Sequence, residues 1–115
     1  MSEMPIDFNG LDTAVHGPIR LGVLTALQMN GPLDFTTLKK QLQVSDGTLG
    51  MHLQKLEEVG YLGANTVLIG RRPKTTYRLT VAGRKALASY LDSMRLLMDA
   101  IEARRTENQS RTEKK

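Results

Sequence analysis

Apolar residues recur at a helical spacing through residues 45–59. Leu49, Leu53 and Leu56 stand at i, i+4 and i+7, a single stripe along one side of a helix. The opposite side carries Gly47, Thr48, Met51, Gln54, Lys55 and Glu58, with His52 flanking it. Ser45 suits the N-cap, since its hydroxyl can accept from an N–H that the first turn leaves unpaired. Val44 and Leu49 occupy the two positions of a hydrophobic staple around that cap. Asp46 places negative charge where the helix dipole favours it, and Gly60 follows where a left-handed cap costs least. The leucine stripe seats this helix on a core, and the small, polar surface of its N-terminal half suits entry into a groove.

Upstream, residues 1–10 read as flexible, with Pro5 and Asn9-Gly10 as breakers. Leu11 to His16 makes a short helical turn before Gly17-Pro18 interrupts it, and Pro18 suits the first turn of a helix that runs to about Asn30. Ile19, Val23, Leu24 and Leu27 share one face of that helix; Arg20 near its start reads as a solvated charge. Asp34 caps a further short helix with Phe35, Leu38 and Leu42 on its buried side and Thr36, Thr37, Lys39 and Lys40 elsewhere. Only Leu42 to Val44 separates it from the helix at Ser45. Two short helices so tightly joined fit a helix-turn-helix, whose second helix reads DNA, and equally fit a plain helical hairpin.

Beyond Gly60 the pattern shifts to strands. Thr66 to Ile69 and Thr75 to Leu79 favour β-structure, and Gly70-Arg71-Arg72-Pro73-Lys74 between them is a turn loaded with cations. This is a β-hairpin with a basic tip. Thr80 caps a final helix extending to about Arg105, on which Leu87, Tyr90, Met94, Leu97 and Ile101 are spaced 3, 4, 3 and 4, with Leu91 and Met98 widening the stripe. The repeat fits a coiled-coil seam or packing within the chain. The helix outruns the domain before it, so its distal half calls for a partner, most simply a second copy. The tail, 106–115, is polar and reads as disordered.

Composition narrows the function. At 115 residues the chain is one domain. Lys and Arg outnumber Asp and Glu by 16 to 12, and six basic residues with no acidic one fall between Arg71 and Lys85, so the excess charge is concentrated at the hairpin. Without cysteine there is neither a disulfide nor a thiolate metal site, and His16 and His52 are too few for an all-histidine zinc site. His16 reads as structural, and Tyr61 and Tyr77 as packing residues. No cofactor and no metal are expected. Residues 1–10 lack a signal peptide's apolar core and no apolar run reaches 18 residues, so the expected location is cytoplasmic, at the nucleoid when bound to DNA, with no membrane partner. No nucleophile–base pair, phosphate loop or metal-ligand spacing is present, which sets an enzyme aside.

Ser45-Asp46-Gly47 followed by His52-Leu53-x-Lys55-Leu56-Glu57-Glu58-x-Gly60-Tyr61 resembles the recognition helix of prokaryotic ArsR/MarR-like regulators. Gly70-Arg71-Arg72-Pro73-Lys74-Thr75-x-Tyr77-x-Leu79-Thr80-x-x-Gly83-Arg84 resembles the wing and following helix start of the single-domain members, and His16-Gly17-Pro18-Ile19-Arg20-Leu21 their first-helix entry. The resemblance covers roughly residues 11–100. It implies an α+β, mostly helical winged helix-turn-helix with a C-terminal dimerisation helix at about 80–105, the domain spanning 11–105. It also implies a homodimer that binds double-stranded DNA at a pseudo-palindromic operator and regulates transcription. Ser45, Asp46, Gly47, Thr48, Met51, His52 and Lys55 would face the major groove, supported by Thr36 and Lys39, while Arg71, Arg72, Lys74 and Thr75 in wing 70–75 would meet the minor groove. The dimer interface would use Leu87, Tyr90, Leu91, Met94, Leu97, Met98 and Ile101. The lack of cysteine departs from metal-sensing members, and Met51 stands where a polar or basic reader is common; it can meet a thymine methyl or sugar only apolarly. His52 can instead pack against the helix-turn-helix core. No effector is indicated. A winged helix turned protein-interaction or adaptor module is the alternative, against which the cations at the tip argue.

Overall fold

The computed structural model describes residues 4–113, with side chains through Gln109. Residues 1–3 of the expected flexible N-terminus and the last two of the tail lie outside the described residues. Among the described residues, four helices and three strands follow one another as α1 (Pro18–Asn30), β1 (Leu33–Asp34), α2 (Phe35–Leu42), α3 (Asp46–Glu58), β2 (Leu62–Ile69), β3 (Arg72–Leu79) and α4 (Val81–Glu113). A 3-10 turn, Phe8–Gly10, precedes them, capped by the Asp7 carboxylate. This is the winged-helix order, with helices packed on one side of a small antiparallel sheet.

The core forms where the leucine stripe of α3 meets α1 and α2. Leu24, Leu38, Leu49 and Leu56 are completely buried, as are Val15 and Val23. Burying each leucine contributes about 1.5–3 kcal/mol relative to leaving it exposed, so this shared set fixes how α3 sits on its neighbours. Val15 reaches the core from the single helical turn read at residues 11–16, where the Val15 and His16 N–H groups both donate to the Asp12 carbonyl.

The link between α2 and α3 turns on Gln43, held in the left-handed region at φ 55°. Its N–H donates to the Lys39 carbonyl at 2.9 Å, which closes α2, and Ser45 then opens α3 by accepting from the Thr48 N–H. At the far end of α3, Gly60 (φ 83°) donates to the Glu57 carbonyl and Tyr61 to the Leu56 carbonyl, the paired bonds of a left-handed helix stop.

The sheet order is β1-β3-β2. The two residues of β1 pair with Thr76 and Tyr77, a strand too short to leave a period in the sequence. Strands β2 and β3 stay in register to Ile69 opposite Arg72, so the turn is Gly70-Arg71 alone. The positive φ at Gly70, with an ordinary φ at Arg71, suits a two-residue hairpin with glycine first. The five-residue turn expected over 70–74 is therefore shorter, and Arg72, Pro73, Lys74 and Thr75 belong to β3. Pairing there satisfies backbone groups that a longer turn would leave open.

Helix α4 continues to Glu113, through most of the tail expected to be disordered and beyond the expected end near Arg105. Residues 106–113 contain no Gly or Pro to stop a helix, and Glu102 with Arg105 forms an (i, i+3) ion pair just ahead of them. Only the start of α4 packs on the body, through Ala86, Leu87, Tyr90 and Met94. The radius of gyration is 18.8 Å against about 13 Å for a compact domain of this length.

Candidate nucleic-acid interface

The outer face of α3 is small and open. Ser45, Asp46, Gly47, Met51, Gln54 and Lys55 are exposed, and Thr48 is half-buried. A Cβ added at Gly47 or at Gly50 would meet no atom within 4 Å. Neither glycine is needed for packing inside this chain, yet each costs a helix roughly 0.5–1 kcal/mol relative to alanine. Two such residues one turn apart keep the surface low where another molecule could approach closely. Gly50 was absent from the expected site; a second helical glycine three residues after Gly47 is the signal that marks it.

The polar groups expected on this face are partly committed to one another. The Ser45 hydroxyl caps the Thr48 N–H at 3.2 Å and donates to the Thr48 hydroxyl at 2.9 Å. Lys39 pairs with Asp46 at 2.7 Å, tying α2 to the first turn of α3. Thr36 is exposed at the start of α2.

His52 faces inward. Its Nδ1 accepts from the Arg20 Nε at 3.0 Å, so the ring lies on the α1–α3 seam and is half-buried. Arg20, read from sequence as a solvated charge, spends a second N–H on the Thr13 carbonyl. Burial pushes the His52 imidazole below its ordinary 6.5, and the Arg20 charge pushes the same way. A proton on Nδ1 would also remove the acceptor. The folded chain therefore holds His52 neutral, and its contribution to stability is complete above pH 6.5 and lost as pH falls below that. His52→Gln keeps an acceptor for Arg20 without titrating. Its denaturation midpoint should consequently change less than that of the parent between neutral pH and pH 5, and parallel profiles would show that His52 does not govern this window.

The cations of the hairpin are not equivalent. Arg71 and Arg72 are exposed and form no ion pair among the described residues. Lys74 differs, lying 3.5 Å from Asp34. Asp34 also caps α2, accepting from the Thr37 N–H at 2.8 Å; the Thr37 bonds first, and Lys74 after them, hold its carboxyl below the usual range. Thr75 shares a hydroxyl–hydroxyl bond of 2.8 Å with Thr66 across the strands. A groove of about 310 Å³ runs between the start of α2 and β3, lined by Thr36, Phe35, Pro73 and Thr75 among others.

The wing and α3 meet at a junction built around Thr80. Thr80 donates through its hydroxyl to the Gly60 carbonyl at 2.6 Å and through its N–H to the Tyr61 carbonyl at 3.1 Å, while its hydroxyl oxygen accepts from the Gly83 N–H. The Tyr61 hydroxyl donates to the Asp12 carboxylate, and His16 Nδ1 lies 2.8 Å from the Tyr90 hydroxyl. His16, Tyr61 and Tyr90 thus spend polar atoms inside the body of the chain, whereas Tyr90 was expected on the dimer stripe.

Of the seven residues expected on the dimer stripe, Leu87 and Tyr90 are buried in the chain's own core. They lie on the side of α4 that packs beneath α1 and β3. Met94 packs there in part, and Leu97 is half-buried. Leu91, Met98 and Ile101 are exposed, joined by Leu96, which the 3–4 spacing passed over. No group of three or more His, Cys, Asp or Glu side chains among the described residues is placed to hold a metal, and no described helix is long and apolar enough to cross a membrane.

A family model described as a winged helix DNA-binding domain matches residues 19–98. An uncharacterised protein of Methanocaldococcus jannaschii is 34% identical over 84 residues, covering 73% of this chain and 91% of that protein. An HTH-type transcriptional regulator of the same organism, also uncharacterised, is 33% identical over 73 residues, covering 64% and 76%. Among solved structures, a transcriptional regulator homologue from Pyrococcus horikoshii matches with 27% identity and a TM-score of 0.71 over 76% of this chain and 87% of that one. PadR of Bacillus subtilis, solved in complex with operator DNA, shares the fold at 22% identity and a TM-score of 0.56, over 61% of this chain and 44% of its own.

Proposed function

This chain belongs to the winged helix DNA-binding domain family, and from that premise we propose that it acts as a homodimeric transcriptional regulator with α3 in the major groove and the wing at the minor groove. The observation that carries this reading is the outer face of α3, where Gly47 and Gly50 serve no packing inside the chain and lower the surface beside Met51 and Gln54. An adaptor surface would gain from bulk there; a helix entering a groove about 12 Å wide gains from its absence. Lys55 and the exposed arginines of the wing lie outside every ion pair among the described residues and supply phosphate contacts, and the free N–H groups at the start of α3 add to them. Ser45, Asp46, Thr48 and Lys39 set the shape and charge of that helix start through their mutual bonds, so their effect on base choice is cooperative. His52 supports the helix from behind.

The second copy docks along distal α4. Leu91, Leu96, Met98 and Ile101 are exposed in the single chain, and a helix projecting this far from its domain gains most by packing on its own symmetry mate. Two copies of α3 related by a two-fold axis must read inverted half-sites. Selection from a random duplex library should therefore recover an inverted repeat with half-site centres about 10 base pairs, or a multiple of that, apart. In the same experiment Met98→Glu with Ile101→Glu, changes at sites exposed in the single chain, should sediment as a monomer and recover single half-sites with weaker binding. An inverted repeat selected equally well by the double variant would move the interface off α4. Recovery of no duplex sequence by the parent chain would remove the regulator reading.

A further inference from the structure

The wing carries more than charge. Val67, Leu68 and Ile69 are 47%, 73% and 59% exposed, three successive aliphatic side chains on a strand whose outer edge has no partner in the described sheet. Such an edge is a liability unless something covers it or opposes self-pairing. The register sorts these side chains. Leu68 lies opposite Pro73, and since paired residues point to the same face, the two form an apolar tip on the face that continues from Leu62 and Tyr77. Val67 and Ile69 lie opposite Lys74 and Arg72 on the other face. Arg71 stands in the turn beside both.

Charge chooses the occupant. No acidic residue occurs between Val59 and Leu91, so the apolar tip sits inside an exclusively cationic stretch of chain. Pairing of two wings edge to edge would set two cationic hairpins side by side, which opposes a second copy as the cover. A surface that offers anions outside and flat apolar groups within reach fits better, and duplex DNA presents that combination at its minor groove. The groove is about 6 Å wide, while two paired strands are about 4.8 Å apart before side chains are counted. A hairpin cannot lie inside it flat; only the side chains of its tip can enter.

We propose that Leu68, backed by Pro73, is an apolar wedge that enters the minor groove and partly unstacks a base step, so that binding bends the operator. The proposal rests on the DNA-binding reading above and adds to it a distortion that arginines alone would not produce. Leucine and proline are among the side chains that wedge base steps, and pyrimidine–purine steps yield most readily. Arg71 and Arg72 would hold the phosphates on either side and keep the wedge in register.

The test uses the full chain and the best duplex from the library selection, with 2-aminopurine at each pyrimidine–purine step flanking the half-sites and a donor–acceptor dye pair on the ends. The parent chain should raise 2-aminopurine fluorescence and shorten the end-to-end distance. Leu68→Ser, at an exposed position, should abolish both changes and weaken binding about tenfold or more, with the log–log salt slope unchanged because no ionic contact is lost. Leu68→Met should restore the bend. Equal bending and affinity for parent and Leu68→Ser would overturn the wedge while leaving the regulator reading intact. Failure of the parent to bind any duplex would instead overturn the reading beneath it. Leu68-dependent retention on phosphatidylglycerol–phosphatidylcholine vesicles, with an unbent duplex, would assign the tip to an anionic lipid surface and also overturn the wedge.

Discussion

Gly83→Ala should be the most damaging small substitution in this chain, lowering stability by about 3 kcal/mol, at the upper end of what overpacking costs. A Cβ at Gly83 would lie 2.2 Å from the Tyr61 carbonyl oxygen and 3.0 and 3.1 Å from the carbonyl carbon and Cα of the same residue. All three are backbone atoms, so no side-chain rotation relieves the contact. The strain also falls on the junction that sets α3 against the wing, because Thr80 bonds to Gly60, Tyr61 and Gly83 together. For a domain of this size the expected fall in Tm is roughly 10–20 °C. Gly47→Ala is the internal comparison: with nothing within 4 Å of its Cβ it should raise stability by about 0.5–1 kcal/mol. Thermal melts of the two variants with opposite signs are the expected result, and a Gly83→Ala melt matching the parent would mean that α4 starts farther from Tyr61 in solution.

That contrast also shows what a sequence can convey. Leu49, Leu53 and Leu56 announce their helix and its buried side because a 3.6-residue period repeats over enough turns to be read, and all three are buried. Ser45, Asp34 and Gly60 are legible because capping chemistry is local: each bond joins residues at most a few positions apart. The two residues of β1 have no period, and their pairing with Thr76 and Tyr77 spans more than forty positions of chain, so nothing local reveals them. The end of the wing turn was misplaced for a related reason. Gly-Arg-Arg-Pro-Lys has the composition of a loop, but strand register, set by the whole hairpin, decides where pairing stops.

Charge was legible as an amount and illegible as an arrangement. Lys39, Lys74, Arg71 and Arg72 look equivalent in the sequence. The fold then sets Asp46 against Lys39 and Asp34 against Lys74, while Arg71 and Arg72 have no such partner among the described residues. Likewise Leu87 and Met98 stand in one heptad-like stripe, yet the first is 3% exposed and the second 68%. Spacing identifies a helical face; which part of that face its own domain covers depends on where the body ends.

The unequal cations lead to the second large expected effect. Replacing Arg71 and Arg72 together by alanine removes two candidate phosphate contacts per protomer, hence four in a dimer. Each contact contributes about 0.9 to the slope of log affinity against log salt, so the slope should flatten by about 3.6. A fourfold rise in salt would then weaken the parent about 150-fold more than it weakens the double variant. Lys74→Ala should flatten the slope by less than 0.9 per protomer, because Asp34 already neutralises part of its charge and must be separated from it before a phosphate can take its place. Titrations of one fixed duplex at several salt concentrations measure all three proteins in the same way. Equal slopes for the parent and the double arginine variant would make the basic turn a solvated tip, with α3 carrying the phosphate contacts. A full contact's loss on Lys74→Ala would show instead that its pairing with Asp34 opens freely in the complex, and that the wing presents three cations to DNA rather than two.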